Sequence, residues 1–166
     1  MSSATGRETV TDHTALPGFP AFYDARLERT VRQVSLMVGS VAVAEDIAHD
    51  AMVQIYERWD AIDDPGAYLY RCAANGALRW LRSRDRSSTL DDEAGSPRLT
   101  VVPAVEFVEM ADALGRLTDR QRIAVVLRYY EDLSETEIAA ALDCRTGTVG
   151  PLLTRARAVL RKELAP

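Results

Sequence analysis

The residues best suited to binding chemistry lie between positions 68 and 86, where arginines and a tyrosine recur at helical spacing. At about 100° per residue, they fall within roughly 80° of the circumference of one helix. This set, called the basic stripe, consists of Tyr68, Arg71, Asn75, Arg79, Arg82 and Arg86. Guanidinium groups bind phosphates, and an aromatic ring can stack on an unpaired base, which contributes about 1–3 kcal/mol per base. The pattern therefore predicts non-covalent binding of a nucleic-acid strand.

The alternative interpretation of the basic stripe is a solvated helix face, which is the usual position of a run of charges. Residues 68–86 hold five basic residues and one acidic residue, Asp85, so carboxylates one turn away cannot neutralise the row. The opposite side of the helix is apolar and is predicted to pack: Leu69, Tyr70, Ala73, Ala77, Trp80 and Leu81. We therefore expect one amphipathic helix with a cationic outer face.

A second group of candidate residues surrounds a predicted helix–turn–helix. A short helix over 134–142, a turn over 143–145 and a second helix starting nearer Thr148 than Thr146 have the spacing of this motif. The second helix of such a motif enters the major groove of DNA. The candidate contact residues are Arg145, Thr146, Thr148, Thr154 and Arg155. A helical hairpin with a purely structural role has the same spacing, and this alternative stays open.

One histidine raises the alternative that the chain is an enzyme. His49 lies with Asp46 and Asp50 on the polar side of a predicted helix, a grouping that could hold a metal or transfer protons. The sequence has no second histidine nearby, no glycine-rich phosphate loop and no nucleophile motif. We therefore predict no enzymatic activity, no catalytic residue, no metal site and no cofactor, and we expect this surface to be solvated or to face a partner.

The charge of the chain is distributed unevenly. The net charge of −5 divides into −6 over residues 1–67, +4 over 68–86, −5 over 87–114 and +2 over 115–166. A uniformly acidic protein would repel nucleic acid, but a dense basic block between acidic blocks is compatible with a polyanionic partner. The distribution therefore supports the strand-binding interpretation of the basic stripe.

Length and composition exclude several classes of protein. The 166 residues, 47% of them apolar, suit one domain or two small ones. No apolar run approaches the roughly 18 residues needed to span a bilayer, and residues 1–13 lack an apolar signal-peptide core, so we expect a cytoplasmic chain without membrane insertion. Cys72 and Cys144 lie far apart, which argues against a disulfide framework and a zinc site.

Helical periodicity predicts the elements that position these residues. Apolar residues over 23–38 recur every three or four positions, and Gly39 is a typical helix stop. A second helix is expected over 43–59, with Tyr56 widening its buried side. A third helix is expected from Asp64-Pro65, an N-cap followed by proline, with a kink or break at Asn75-Gly76.

The second half of the chain contains two capping boxes, Thr118 to Gln121 and Ser134 to Glu137, which predict two helix starts. With no strand-like alternation, the fold class is all-α: two small helical domains joined by a flexible linker, the second a helix–turn–helix. The predicted divisions are a flexible lead-in over 1–18, a first domain over 19–86, an acidic linker over 87–104 and a second domain over 105–166.

Three blocks of sequence, 44–56, 64–82 and 117–157, together resemble the extracytoplasmic-function (ECF) sigma factors of bacterial RNA polymerase, in the sigma-70 superfamily. The resemblance covers about residues 19–164. It implies that the first domain corresponds to sigma region 2, which binds core polymerase and the minus-ten element. The second domain would correspond to region 4, which reads the minus-thirty-five element.

The resemblance also implies partners and roles. The partners would be core RNA polymerase, promoter DNA and an anti-sigma protein, and the basic stripe would hold the non-template strand of the melted promoter. The residues implied to bind core polymerase are Asp46, His49, Asp50, Val53, Gln54 and Glu57. The expected function is to direct promoter recognition, DNA melting and transcription initiation. An autonomous helix–turn–helix regulator remains the alternative, although it would leave the basic stripe unexplained.

The chain departs from the family pattern at three places. Gly150-Pro151 stands where members usually have basic and polar residues, so we expect reading of the upstream element to be weak. Asp143 replaces a glycine common in the turn, and aspartate tolerates left-handed backbone better than most residues. Tyr68 stands where the family often has tryptophan, which preserves stacking over a smaller area.

Overall fold

The computed structural model describes residues 18–88 and 105–166, and within them the chain is helical with no strand. The α-helices of the described residues are α1 (Phe19–Val38), α2 (Val41–Glu57), α3 (Pro65–Ser88), α4 (Val105–Gly115), α5 (Asp119–Val125), α6 (Glu135–Leu142) and α7 (Thr146–Glu163). A 3-10 turn at Trp59–Ala61 precedes α3, and a π-helical turn at Val126–Tyr130 follows α5. The all-α prediction is confirmed. Most of the predicted lead-in and linker lies outside the described residues.

Two of the predicted signals bound the first three helices, Gly39 at the end of α1 and Asp64-Pro65 at the start of α3, whereas α2 spans 41–57 and not the expected 43–59. α1 ends at Gly39, whose φ of 77° is left-handed and costs glycine little. The hydroxyl of Ser40 accepts a hydrogen bond from the backbone of Val43 and caps α2. The Asp64 carboxylate accepts one from the backbone N–H of Ala67 at 3.1 Å, so Asp64 caps α3 as predicted.

The predicted interruption of α3 at Asn75-Gly76 is wrong, because α3 is continuous from Pro65 to Ser88. The glycine serves helix packing instead. A Cβ at residue 76 would lie 2.8 Å from Cγ2 of Ile47, so the missing side chain lets α2 and α3 approach closely. Continuity keeps the whole basic stripe on one helix.

The second unit contains the predicted helix–turn–helix. Both capping boxes are formed, one at Thr118 and Gln121 and the other at Ser134 and Glu137. Backbone and side-chain hydrogen bonds from Ser134 lower the pKa of Glu137, so this carboxylate stays charged at the start of α6. Asp143 adopts φ 52° in the turn, as its tolerance of left-handed backbone predicts.

The start of α7 differs from the prediction. The helix begins at Thr146 rather than near Thr148, and Pro151 lies inside it. Proline at this position removes one backbone donor, which would have paired with the carbonyl of Gly147. Packing outweighs that loss, because Val149 is fully buried against the helix–turn–helix core, beside Ile138 and Leu142.

The two units pack against each other, which the sequence did not predict. One apolar core runs from α1 and α3 into α5, α6 and α7. Buried Arg122 donates from Nε to the carbonyl of Leu36 at 2.6 Å, and burial lowers its pKa to about 10, which leaves it charged at neutral pH. Glu131 accepts hydrogen bonds from Arg29 Nε at 3.1 Å and from Tyr70 Oη at 3.0 Å.

Candidate nucleic-acid interface

The basic stripe lies along the outer side of α3. Tyr68 is half-buried, and the other five members are exposed: Arg71, Asn75, Arg79, Arg82 and Arg86. The side predicted to pack is buried or half-buried along its length: Leu69, Tyr70, Ala73, Ala77, Trp80 and Leu81. The helix is therefore amphipathic as predicted, with its cations towards solvent.

The electrostatics of the stripe leave most of its charge available. Within the described part of the chain, Arg71, Arg79 and Arg82 form no ion pair or hydrogen bond with a carboxylate. Arg84, which lies off the stripe, stacks instead over the ring of Trp80 at 5.4 Å. Exposed guanidinium groups without an internal carboxylate are free to bind phosphates from outside.

The tyrosine at the start of the stripe is held by packing. Tyr68 lies against a small apolar cluster that includes Met52, Ile55 and Cys72. Burial raises the pKa of the Cys72 thiol, so it stays protonated and acts as an apolar side chain. The phenol ring is thus fixed in position while part of it remains accessible for stacking.

The residues implied to bind core polymerase form one exposed surface on α2: Asp46, His49, Asp50, Val53, Gln54 and Glu57. Val53 is 54% exposed, an unusual position for a β-branched apolar side chain.

Tyr56 was predicted on the buried side, but it is 41% exposed and lies at the edge of this surface. Its ring packs edge-on against Phe19 at 5.1 Å because α1 begins close to the end of α2. Periodicity within α2 could not indicate this contact, because Phe19 comes from another helix.

The helix–turn–helix candidates are all exposed: Arg145, Thr146, Thr148, Thr154 and Arg155. The Thr154 hydroxyl donates to the carbonyl of Gly150 at 2.9 Å, so its proton is not available for a hydrogen bond to a base edge or phosphate. Arg157, which is not among the candidate contact residues, donates to Tyr129 Oη at 3.2 Å and to Thr154 Oγ1 at 3.4 Å. Tyr129 is 58% exposed and adds an aromatic ring beside α7. No local pattern indicated it, since it comes from the π-helical turn before α6.

The space around Gly150 bears on upstream DNA reading. A Cβ at this residue would lie 3.5 Å from a carboxylate oxygen of Glu135. The surface near the start of α7 therefore has the Glu135 carboxylate of α6 beside it and no basic side chain at residue 150. This arrangement offers little to base edges or phosphates there.

Metal and membrane alternatives receive no support from the described ranges. Within 18–88 and 105–166, no group of three or more His, Cys, Asp or Glu side chains could hold a metal ion. No helix in the described ranges is both long enough and apolar enough to cross a bilayer. His49 instead lies near the ring of Tyr23, with the ring centroids 6.4 Å apart.

Comparison with known families agrees with the two helical units. The family described as "Sigma-70 region 2" matches residues 22–87, and "Sigma-70, region 4" matches residues 107–160. These matches define the class as sigma-70 transcription initiation factors, which act in promoter recognition by RNA polymerase.

The chain belongs to the extracytoplasmic-function (ECF) sigma factors of this class. It is 33% identical over 159 residues to the RNA polymerase sigma-E factor of Streptomyces avermitilis, covering 92% of this chain and 88% of that protein. The sigma-E factor of Streptomyces coelicolor is 33% identical over 156 residues, with coverage of 88% and 85%. The ECF RNA polymerase sigma factor SigW of Bacillus subtilis is 34% identical over 147 residues, with coverage of 77% and 79%.

Solved structures share the fold. The sigma factor RpoE in complex with the anti-sigma factor NepR from Bartonella quintana has a TM-score of 0.78 at 22% identity, covering 90% of this chain and 98% of that chain. CnrH in complex with the cytosolic domain of CnrY has a TM-score of 0.65 at 22% identity, with coverage of 88% and 86%.

Proposed function

We propose that this ECF sigma factor binds core RNA polymerase and uses its two units for different parts of the promoter. The first unit, over 19–86, would bind core polymerase and hold the melted minus-ten element. The second unit, over 105–166, would contact the minus-thirty-five element, and the acidic segment over 87–104 would connect them. The single observation that carries the proposal is the continuous α3 helix with its row of exposed arginines.

Strand capture follows from the arrangement of α3. Melting a promoter requires unstacking of bases, which costs a few kcal/mol for each flipped base. Arg71, Arg79 and Arg82 are spaced along more than two turns and can bind successive phosphates of one strand. Tyr68 supplies a stacking surface at one end of the row, and Asn75 supplies amide donors and acceptors for a base edge. Together these contacts offset the unstacking cost for single-stranded DNA.

Docking to polymerase would use the exposed surface of α2. Its carboxylates suit a basic partner, and Val53 and Tyr56 supply apolar area that a solvated helix face would not need. A contact with an apolar centre and a charged rim is typical of stable protein interfaces. This surface lies on a different helix from the basic stripe, so both can be occupied together.

Regulation by an anti-sigma protein and a cytoplasmic location complete the proposal. RpoE of Bartonella quintana was solved in complex with an anti-sigma factor, and its fold covers almost all of this chain. We extend that kind of partner to this protein. Co-purification of a tagged chain from its own host would identify the partner, and recovery of core polymerase alone would argue against this part of the proposal.

The central test is reconstituted run-off transcription with core polymerase and genomic promoter fragments. Substituting Arg79→Ala and Arg82→Ala together should abolish open-complex formation, a loss of about 100-fold or more at two charge-assisted phosphate contacts. Binding to core polymerase should be unchanged, because the α2 surface is intact. Permanganate reactivity of promoter thymines would report the open complex directly.

A matched control removes the same charge elsewhere. Arg32→Ala with Arg116→Ala deletes two exposed arginines that lie outside α3 and pair with Glu28 and Glu163. This variant should open promoters normally. Normal promoter opening by the Arg79/Arg82 variant would contradict the assignment of the basic stripe. Tight, sequence-specific duplex binding by the chain without polymerase would favour the autonomous regulator instead.

A further inference from the structure

A cavity of about 350 Å³ opens where the second unit packs against α3. One wall is the C-terminal half of the basic stripe, and the opposite wall comes from α5 and the turn after α6. The lining residues are Asn75, Leu78, Arg79, Arg82, Arg86, Arg120, Leu142 and Asp143. Neither unit alone provides this cavity, since it exists between them.

The charge of the cavity is concentrated and strongly positive. Four arginines line it, and Asp143 is the one carboxylate among the lining residues. The second unit contributes Arg120, whose Nη2 is held by the carbonyl of Leu142 at 3.4 Å. Within the described residues, Arg79 and Arg82 make no ion pair, so among the lining residues only the charge of Asp143 offsets part of their repulsion from Arg120.

We propose that this cavity binds a small anion carrying two or more linked phosphate groups, either inorganic polyphosphate or a nucleoside polyphosphate. Guanidinium groups match phosphate oxygens in bidentate geometry, and arginines from two sides can bind neighbouring phosphates of one chain. The volume lies within the range of about 300–1,000 Å³ that is typical of small-molecule sites. A monovalent anion would neutralise too little of this charge.

Two consequences follow because the cavity is lined by both units and by part of the basic stripe. The ligand contacts both units, so it should favour their packed arrangement over a separated one. It also uses Arg79 and Arg82, so it should compete with a DNA strand for the basic stripe. The competition rests on the proposed function, whereas binding of the anion rests on the cavity alone and can be measured without polymerase or promoter.

The test is calorimetric titration of the full chain at constant ionic strength, without divalent cations, using tripolyphosphate in one arm and ATP in the other. We expect saturable binding at one site in at least one arm. Equal affinity in both arms assigns recognition to the phosphates, and tighter ATP binding assigns part of it to the nucleoside. Absence of saturable binding in both arms would overturn the proposal.

Two variants locate the site. Arg120→Gln removes the guanidinium of the second unit and should weaken binding about tenfold, as expected for one charge-assisted contact. Arg116→Gln, which changes an exposed arginine outside the cavity, should leave the affinity unchanged. Equal weakening by both substitutions would mean non-specific charge attraction and would refute a built site.

A variant that should bind the anion more tightly is also needed, because misfolding can explain a loss of affinity but not a gain. Asp143→Asn removes the one lining carboxylate and keeps a residue that tolerates its left-handed backbone, φ 52°. Binding should tighten about threefold or more, because a repulsive charge is lost. Unchanged or weaker binding by this variant would contradict the proposed location. If neither tripolyphosphate nor ATP binds while the Arg79/Arg82 variant still loses promoter opening, this inference falls and the proposed function stands.

Discussion

At the scale of single residues, position 150 of α7 offers little for the DNA contact proposed above. Gly150 has no side chain, and a Cβ at this residue would lie 3.5 Å from a carboxylate oxygen of Glu135. A phosphate or base edge arriving here would meet negative charge. In the proposed function, α7 would therefore rely for DNA contact on flanking residues such as Arg145, Arg155 and Arg157, all of which are exposed.

Substituting Gly150→Lys together with Pro151→Ser should strengthen upstream duplex binding. The lysine adds a cation beside Glu135, and the serine restores a backbone donor. One new phosphate contact should raise affinity up to about tenfold at low salt and steepen its salt dependence by about one counterion. Fluorescence anisotropy with an isolated duplex over several salt concentrations measures both effects.

The control for this prediction is Gly115→Lys, which adds the same charge at the end of α4, where a Cβ would meet nothing within 4 Å. It should not change duplex affinity beyond the general effect of one added charge. If the 150/151 variant behaves like this control, weak upstream reading has another cause.

At the scale of elements, α3 illustrates both the strength and the limit of reading helices from sequence. Its start at Asp64-Pro65 and its two faces were predicted, because caps and periodicity are local properties. Its continuity through Gly76 was not predicted, because a glycine inside a helix is less favourable than alanine by about 1 kcal/mol. The deciding contact is with Ile47, which is distant in sequence and lies on another helix.

Gly76→Ala should therefore destabilise the protein despite its better helix propensity. The new Cβ would lie 2.8 Å from Ile47 Cγ2, and overpacking of a core typically costs about 1–3 kcal/mol. Urea unfolding followed by circular dichroism measures the change. Gly147→Ala is the matched control, since nothing lies within 4 Å of its Cβ position, and it should stabilise α7 by up to about 1 kcal/mol. Stabilisation by both substitutions would show that α2 and α3 are not held together at Gly76.

At the scale of the whole molecule, the packing of the two units determines what the protein can contact. Elements named minus ten and minus thirty-five are about 25 base pairs apart, which is roughly 85 Å of duplex. A compact chain of this length has a radius of gyration of about 15 Å. The packed arrangement cannot reach both elements together, so the proposed function requires the units to separate on the promoter.

Glu131 is the polar contact whose loss should loosen this packing. Its side chain is 3% exposed and accepts hydrogen bonds from both Arg29 and Tyr70 of the first unit. Glu131→Gln should reduce the free energy of unfolding by about 1–3 kcal/mol, since buried charged acceptors are costly to lose. Half-exposure of Arg29 places the expected value at the lower end of that range.

Glu28→Gln is the comparison for Glu131→Gln, because Glu28 also pairs with an arginine but is exposed. It should change stability by less than about 0.5 kcal/mol. Small-angle scattering should show expansion for the Glu131 variant alone. Equal stability of the two variants would mean that Glu131 does not hold the units together.

The sequence by itself determined most of the helices, both capping boxes and the alignment of the basic stripe, because these depend on residues within a few turns of one another. Three features were decided only by the tertiary structure: the unbroken α3, the exposure of Tyr56 and the cavity between α3 and the second unit. Each depends on residues brought together from different helices. Spacing along one chain cannot reveal such contacts, since it records which side of a helix is apolar but not which partner covers it.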